Sequence, residues 1–260
     1  MKFDSLMVYK SRIWMALFAL KLVAFMCLSS DASAKVVDPR ARAILKKARS
    51  HIGDEVTLNK IESLRFQGKV TDSNGNKGTL EIAIQKPYQS LQRLTINNSV
   101  TEFGLNDYEA WIKIYKVGDE ANYGLVPANP DQLRRTRANA FENLTFFSEK
   151  TGFFRKIEYL GKDIIDGAEV EKVKVKYGSI FFDRYFDSRS GELVFTKIES
   201  GEGIKENGEM FVDGIRFPES VTTILDGQQR SFVQFDLIEV NPVLEDSLFQ
   251  QPPLPGLKKE

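Results

Sequence analysis

From residue 64 onward the hydropathy of this chain alternates with a period of two, and Asx-Gly pairs interrupt it at short intervals. Successive side chains on a strand point to opposite faces, so the alternation, broken at Asn74-Gly75, Asp166-Gly167 and Asp226-Gly227, specifies an antiparallel meander. The pattern predicts strands over 64–71, 78–85, 88–97, 108–117, 155–161, 170–177, 179–187, 192–199, 209–213, 216–225 and 229–240. Leu80, Ile82 and Ile84 fall on one face, as do Val233, Phe235 and Leu237. In 108–117, Ile112 and Ile114 oppose Trp111 and Tyr115. Such a strand is apolar on both sides, so one side meets a second layer or a cavity. Pro218 marks an edge or a strand start, and the Pro-rich tail over 241–257 cannot extend a sheet.

The period changes to 3.6 in three places. Asp38 as N-cap and Pro39 at the first position open a helix over 39–52, with Ile44, Leu45, Ala48 and Ile52 on one stripe and Gly53 as its stop. A shorter helix is predicted over 54–63, with Val56, Leu58 and Ile61 inward. Asn129-Pro130 opens a third over 130–148, with Leu133, Ala140, Phe141, Leu144 and Phe147 near one stripe. The fold class is therefore α+β and β-dominated. A sheet of so many strands curls through its own twist. The expected architecture is a strongly curved, open antiparallel sheet, a half-barrel, with helices covering its concave face.

The first 34 residues read as an export signal. Lys2, Lys10 and Arg12 precede an apolar run over 13–28, and Ala32-Ser33-Ala34 supplies a small-x-small cleavage site. Residues 35–260 are expected to form a single domain, since no Pro/Ser/Gly-rich linker or repeat divides them. Cys27 lies in the apolar run, so the exported chain would carry no cysteine.

Composition removes most chemistry. Lys and Arg total 36 against 36 Asp and Glu, which excludes the basic excess of a nucleic-acid binder. One Cys and one His exclude cysteine zinc sites and leave little room for Ser-His or Cys-His catalysis. P-loop, GxGxxG and GxSxG motifs are absent. Residues 72–78 imitate the start of a calcium loop, but Lys77 stands where Gly is required and Ala83 where Glu is, so the segment reads as a hairpin turn. Asp183 and Asp187 share a strand face about 13 Å apart, too far for a glycosidase pair. Arg134, Arg135 and Arg137 fit either an anion site or a solvated helix face. His51 reads as a capping residue in the last helical turn, with no second ligand type near it in sequence. No metal, no cofactor and no enzymatic activity are expected.

Three C-terminal segments carry a family resemblance. Residues 159–167 form a strand and turn before a Val-x-Val strand, and residues 184–191 form a Tyr-x-Asp hairpin closed by Gly191. Residues 214–218 and 235–242, with Leu248-Phe249, match the closing strands. Over about 39–249 the chain resembles the periplasmic lipoprotein-carrier superfamily of LolA, LolB and RseB. The resemblance implies a periplasmic, monomeric, non-enzymatic protein of a Gram-negative host. It would bind acyl chains of lipoproteins or lipids in a hydrophobic groove, for sorting or transport to the outer membrane, and hand them to a membrane-associated receptor or transporter. The expected groove is Leu80, Ile82, Ile84, Leu94, Ile96, Ile112 and Ile114, under a lid of Leu133, Phe141 and Leu144. Two alternatives stay open: a sensing domain of the RseB kind bound to a membrane partner, and an exported hydrolase using a carboxylate pair. Close carboxylates in a polar cleft would mark the hydrolase, and a dry, carboxylate-free groove would exclude it.

Overall fold

The computed structural model describes residues 37–149 and 155–254. The export segment predicted over 1–34 lies outside them. Among the described residues the chain runs α1 (Pro39–Ile52), α2 (Glu55–Asn59), β1 (Ser63–Asp72), β2 (Lys77–Gln85), β3 (Gln89–Ile96), β4 (Ser99–Asn106), β5 (Glu109–Lys116), β6 (Tyr123–Pro127), α3 (Pro130–Thr145) and β7 (Arg155–Ile165). It continues through β8 (Ala168–Tyr177), β9 (Ile180–Asp187), β10 (Leu193–Ile198), β11 (Gly203–Asn207), β12 (Met210–Val212), β13 (Ile215–Phe217), β14 (Ser220–Leu225) and β15 (Gln228–Val240). A 3-10 turn over Asp246–Phe249 ends it.

Thirteen strands form one open antiparallel sheet in the order β6-β5-β4-β3-β2-β1-β15-β14-β11-β10-β9-β8-β7. Nearly every neighbour is a sequence neighbour. The exceptions are β1 with β15, which joins the first and last strands at the centre, and β11 with β14, between which β12 and β13 form a separate hairpin. The chain's middle therefore lies at the two edges, and the β6–α3–β7 connection must cross from one to the other. A flat sheet of thirteen strands would be roughly 60 Å wide at about 4.8 Å per strand. Helix α3 is only about 24 Å long at 1.5 Å per residue. The curl of the sheet shortens that crossing and lays α3 over the inner face.

Two clusters fill the space beneath the helices. On the β7–β9 side, Ala41, Leu45 and Ala48 of α1 pack on Ile157, Val173, Val175 and Phe186. On the other side, Leu58, Ile61, Ala140 and Leu144 pack on Leu64, Ile84, Leu105, Ile215, Phe217 and Ile238. The caps read from the sequence hold. Asp38 accepts from the amides of Arg40 and Ala41, and Asn129 forms a capping box with Gln132.

Four local readings are corrected. The second helix is one short turn because Ser63 joins the sheet opposite Gln85, and Val56 is exposed while Leu58 and Ile61 are buried. Strands β4, β6 and β11 were not expected. Asn97 and Asn98, both at positive φ, make the two-residue turn that pairs Ile96 with Ser99 and creates β4. Helix α3 ends at Thr145 rather than 148, since Phe146 and Phe147 adopt left-handed backbone. Finally, Val233, Phe235 and Leu237 do not share a face. The register with β1 slips between Gln67 and Gly68, so Phe235 pairs Gly68 while Leu237 pairs Gln67. Asp236 is thus the extra residue of a bulge, which turns Leu237 to solvent and Ile238 to the core.

The convex face has its own cover. Trp111 lies against Ala83, Leu91 and Phe249, and its indole N–H donates to the Phe249 carbonyl at 3.4 Å. The tail that cannot extend the sheet caps it instead. Gly104 is required beneath this contact, because a Cβ there would fall 2.1 Å from the Trp111 ring. Beside it, Glu81, Arg93, Glu102 and Lys113 form a cross-strand row of alternating charge over β2–β5. Arg93 donates to both carboxylates at 2.8 Å, and Tyr115 to Glu102 at 2.9 Å.

Phe249 is fully buried, so Phe249→Ala is expected to lower stability by about 3–5 kcal/mol in urea titration. In a Trp14→Phe background the emission of Trp111 should also shift to the red. An unshifted spectrum would show that the tail does not shield the indole.

Candidate functional site

A cavity of about 610 Å³ lies between the inner face of the sheet and its helical cover. Its floor draws on eight strands adjacent in the sheet, from β3 through β1, β15 and β14 to β9. The roof is α3 (Thr136, Asn139, Ala140, Glu142, Asn143) with Phe146 and Phe147 just after it, the end of α1 (His51, Ile52) and the β13 residues Arg216 and Phe217.

The lining divides along sheet order. Alternate residues of β1–β3 place Val70, Leu80, Ile82, Leu94 and Ile96 on the inner face, and β15 adds Val233 and Phe235 from the segment before its bulge. These side chains pack on one another yet several remain only partly buried, which leaves apolar surface facing the cavity. On the β9–β11 side the lining mixes Phe182, Leu193 and Ile204 with ionisable groups: Arg184, Glu192, Glu206 and, from the hairpin entry, Glu209.

Beneath α3 sits a buried charge cluster. Glu142 receives Arg155 at 2.8 Å, Arg184 and the Tyr177 hydroxyl. Burial alone would raise the Glu142 carboxyl, but the two guanidinium groups and the tyrosine together hold it below its ordinary value. The Tyr177 phenol is pushed up, first by burial and then by Glu142. Glu206 has no such partners. Its side chain makes no hydrogen bond or ion pair among the described residues, and burial pushes its carboxyl up to about 7.

His51 does not stand alone, contrary to its sequence reading. Folding brings Glu192 from the β9–β10 turn and Glu209 from the β11–β12 turn until the three donor atoms lie within 4.8 Å of one another. His51 Nε2 is 3.7 Å from Glu209. Arg216 already neutralises Glu209 and donates to the His51 carbonyl, so the arrangement as it stands is an ion-pair cluster. The remaining candidates are accounted for. Arg134, Arg135 and Arg137 pair with Asp131, Glu199 and Asp107. Asp183 is buried between Lys172 and Lys174 on the outer face, and Asp187 accepts from the Arg189 and Ser190 amides of its turn.

Of the ten groove residues expected, Leu80, Ile82, Ile84, Leu94 and Ile96 line the cavity. Ile112 and Ile114 lie on the same face, since Ile112 pairs Phe103 and Ile114 pairs Thr101, but beyond its limit toward the β6 edge. Leu144 is buried in the core, with Leu133 and Phe141 packed against the clusters, so α3 presents Thr136, Asn139, Ala140, Glu142 and Asn143 instead. Glu206 escaped the sequence reading because residues 201–208 look like a Gly-rich turn. The alternation of Ile204, Lys205 and Glu206 was the available sign of a strand.

No family model matches the sequence, and no curated protein matches it. Among solved structures, a DUF1329 family protein from Desulfovibrio piger superposes with a TM-score of 0.52 at 7% identity, covering 81% of this chain and 97% of that one. A structure described as an outer membrane lipoprotein-sorting protein domain from Vibrio parahaemolyticus gives 0.51 at 8%, covering 80% and 97%. A LolA superfamily protein from Nitrosomonas europaea gives 0.51 at 11%, covering 81% and 97%. The chain has the fold of the LolA superfamily. At these identities the likeness is one of fold.

The cluster under α3 yields a prediction. Glu142→Gln strands two buried guanidinium groups and is expected to cost about 3–5 kcal/mol in urea titration. Because the folded carboxyl sits below its unfolded value of about 4.3, its contribution is full above that pH and lost as pH falls through the folded value. The wild type should therefore lose more stability than the variant between about pH 4.3 and lower pH. Parallel acid limbs would refute the assignment.

Proposed function

We propose that this protein is a non-enzymatic periplasmic binder of acyl chains, exported by its N-terminal signal, which takes up lipoprotein or lipid cargo in the inner cavity and delivers it toward the outer membrane. The observation that carries this reading is the apolar cluster of Val70, Leu80, Ile82, Leu94, Ile96, Val233 and Phe235 that β1, β2, β3 and β15 bring to the cavity. The cavity volume falls in the range of about 300–1,000 Å³ usual for small-molecule sites. Each CH₂ moved out of water contributes about 0.8 kcal/mol, so a long chain gains affinity from burial without any specific polar contact. Release to a receptor or transporter requires that the β12–β13 hairpin move off the sheet, since α3 is held by Glu142. The similar fold of structures titled lipoprotein-sorting and LolA superfamily supports carriage.

One observation favours a second reading. Glu192 and Glu209 approach each other at the exposed rim of the cavity, as an exported hydrolase would need. Arg216 holds Glu209 in an ion pair, which leaves one free carboxylate rather than a catalytic couple.

Native mass spectrometry of protein purified from a Gram-negative periplasm should show a co-purified acylated species. Ile82→Glu, which places a charge in the apolar lining, is expected to abolish it. Ile114→Glu, on the same face outside the cavity and half-exposed, should leave it in place. A clean apo mass with no uptake of a fluorescent acyl probe would overturn the reading. Acyl-ester hydrolysis lost in Glu192→Gln would replace it with the hydrolase.

A further inference from the structure

We propose that the cavity selects amphiphiles whose head group is a protonated amine over those ending in a carboxylate or a neutral hydroxyl, with Glu206 as the residue that receives the ammonium. The inference rests on the acyl-binding reading and names the chemistry at the polar end of the same cavity.

Charge accounting around the lining carries it. Among the described residues no lysine lines the cavity; Arg184 shares Glu142 with Arg155, and Arg216 pairs with Glu209. An anionic head group would meet five lining carboxylates, Asp72, Glu142, Glu192, Glu206 and Glu209, against two arginines and His51. The carboxylates are in excess. Glu142 and Glu209 serve those arginines, and Asp72 accepts from the amides of Asn74 and Asn76 in its own turn. Glu192 and Glu206 remain, and neither side chain has a hydrogen bond or ion pair among the described residues.

Of these two, Glu206 is the better placed. It projects from the middle of β11, opposite Val221 of β14, into the cavity beside Ile204, and it is partly buried where Glu192 is exposed. A desolvated carboxylate without a partner is costly, and two carboxylates close together raise that cost. The elevated proton affinity of Glu206, caused first by burial and countered only in part by Arg184, is the expected signature. An ammonium would satisfy it with a charge-assisted hydrogen bond. Sheet order sets the geometry: the apolar strands β1–β3 and β15 lie on one side of β14 and the ionisable strands β9–β11 on the other. An amphiphile laid across the strands would place its chain and its head on surfaces of matching chemistry.

The test uses delipidated full protein at about pH 8, where Glu206 is ionised, and compares dodecylamine, dodecanol and dodecanoate as competitors of a neutral fluorescent probe. The amine is expected to bind about tenfold tighter than the alcohol, and the carboxylate weaker than both. Glu206→Gln, close to isosteric, should bring the amine to within about threefold of the alcohol while leaving alcohol binding unchanged. Retained alcohol binding also shows that the variant folds. Equal affinity for amine and alcohol in the wild type overturns the inference and leaves acyl binding standing. An amine preference that persists in Glu206→Gln also overturns the assignment, and if it disappears in Glu192→Gln the head-group site belongs to the rim. Failure of all three amphiphiles to compete overturns both the inference and the reading beneath it.

Discussion

The carboxylate of Glu142 holds together two parts of the molecule that chain connectivity alone would leave apart. It sits on α3, the helix crossing from one sheet edge to the other, and receives Arg155 of β7, Tyr177 of β8 and Arg184 of β9. A crossing helix anchored only by apolar contacts could slide along the concave face. One anchored by a buried carboxylate between two arginines cannot do so without exposing uncompensated charge to a dry interior. That fixed position decides which side of α3 faces the sheet. With Leu144 turned into the core, Thr136, Asn139, Ala140, Glu142 and Asn143 are left to roof the cavity.

The inner and outer faces of the sheet solve opposite problems. Outside, the row Glu81-Arg93-Glu102-Lys113 matches charges strand by strand, and a one-residue slip would turn every member to the wrong face. Trp111, Phe249 and Gly104 close the remaining outer surface by shape. Inside, the β1–β15 pairing brings the first and last strands together at the centre, and the bulge at Asp236 changes which residues of β15 look inward. Val233 and Phe235 before the bulge serve the cavity, while Ile238 after it serves the core. A single inserted residue thus divides one strand between ligand space and structural packing.

Much of this was legible in the sequence because it is local. Alternation and Asx-Gly turns gave most strands, and Asp38-Pro39 and Asn129-Pro130 gave the starts of α1 and α3. The half of the expected groove on β2 and β3 follows from the same alternation. Ile112 and Ile114 also obey it, yet lie outside the cavity, because a period of two assigns a face and says nothing about how far a helix covers it. Leu133, Phe141 and Leu144 illustrate the complementary limit. An apolar helical stripe packs where the apolar surface is continuous, so these three became core, while Ala140 and Phe147 of the same stripe reach the cavity beside the polar Thr136, Asn139 and Asn143. The β11 strand was obscured by its flanking glycines, and with it Glu206. The charge clusters were beyond reach for another reason: Glu142 meets Arg184 across 42 residues of chain, and only the completed sheet brings them together.

Retention of an unpaired Glu206 beside so apolar a surface bears on why the cavity is there at all. Where this protein buries charge for structural ends it supplies partners, as Glu142 and Glu102 show. A carboxylate on the same inner face, offset only in part by the Arg184 that also faces Glu142, departs from that habit. Replacing it by an apolar residue on β11 would extend the hydrophobic lining across β14 and stabilise the empty protein. A cationic group that enters offsets the cost of keeping it ionised. Apolar lining on one side of β14 and an unsatisfied acid on the other are thus two halves of one specification, for a ligand greasy along its length and charged at its end.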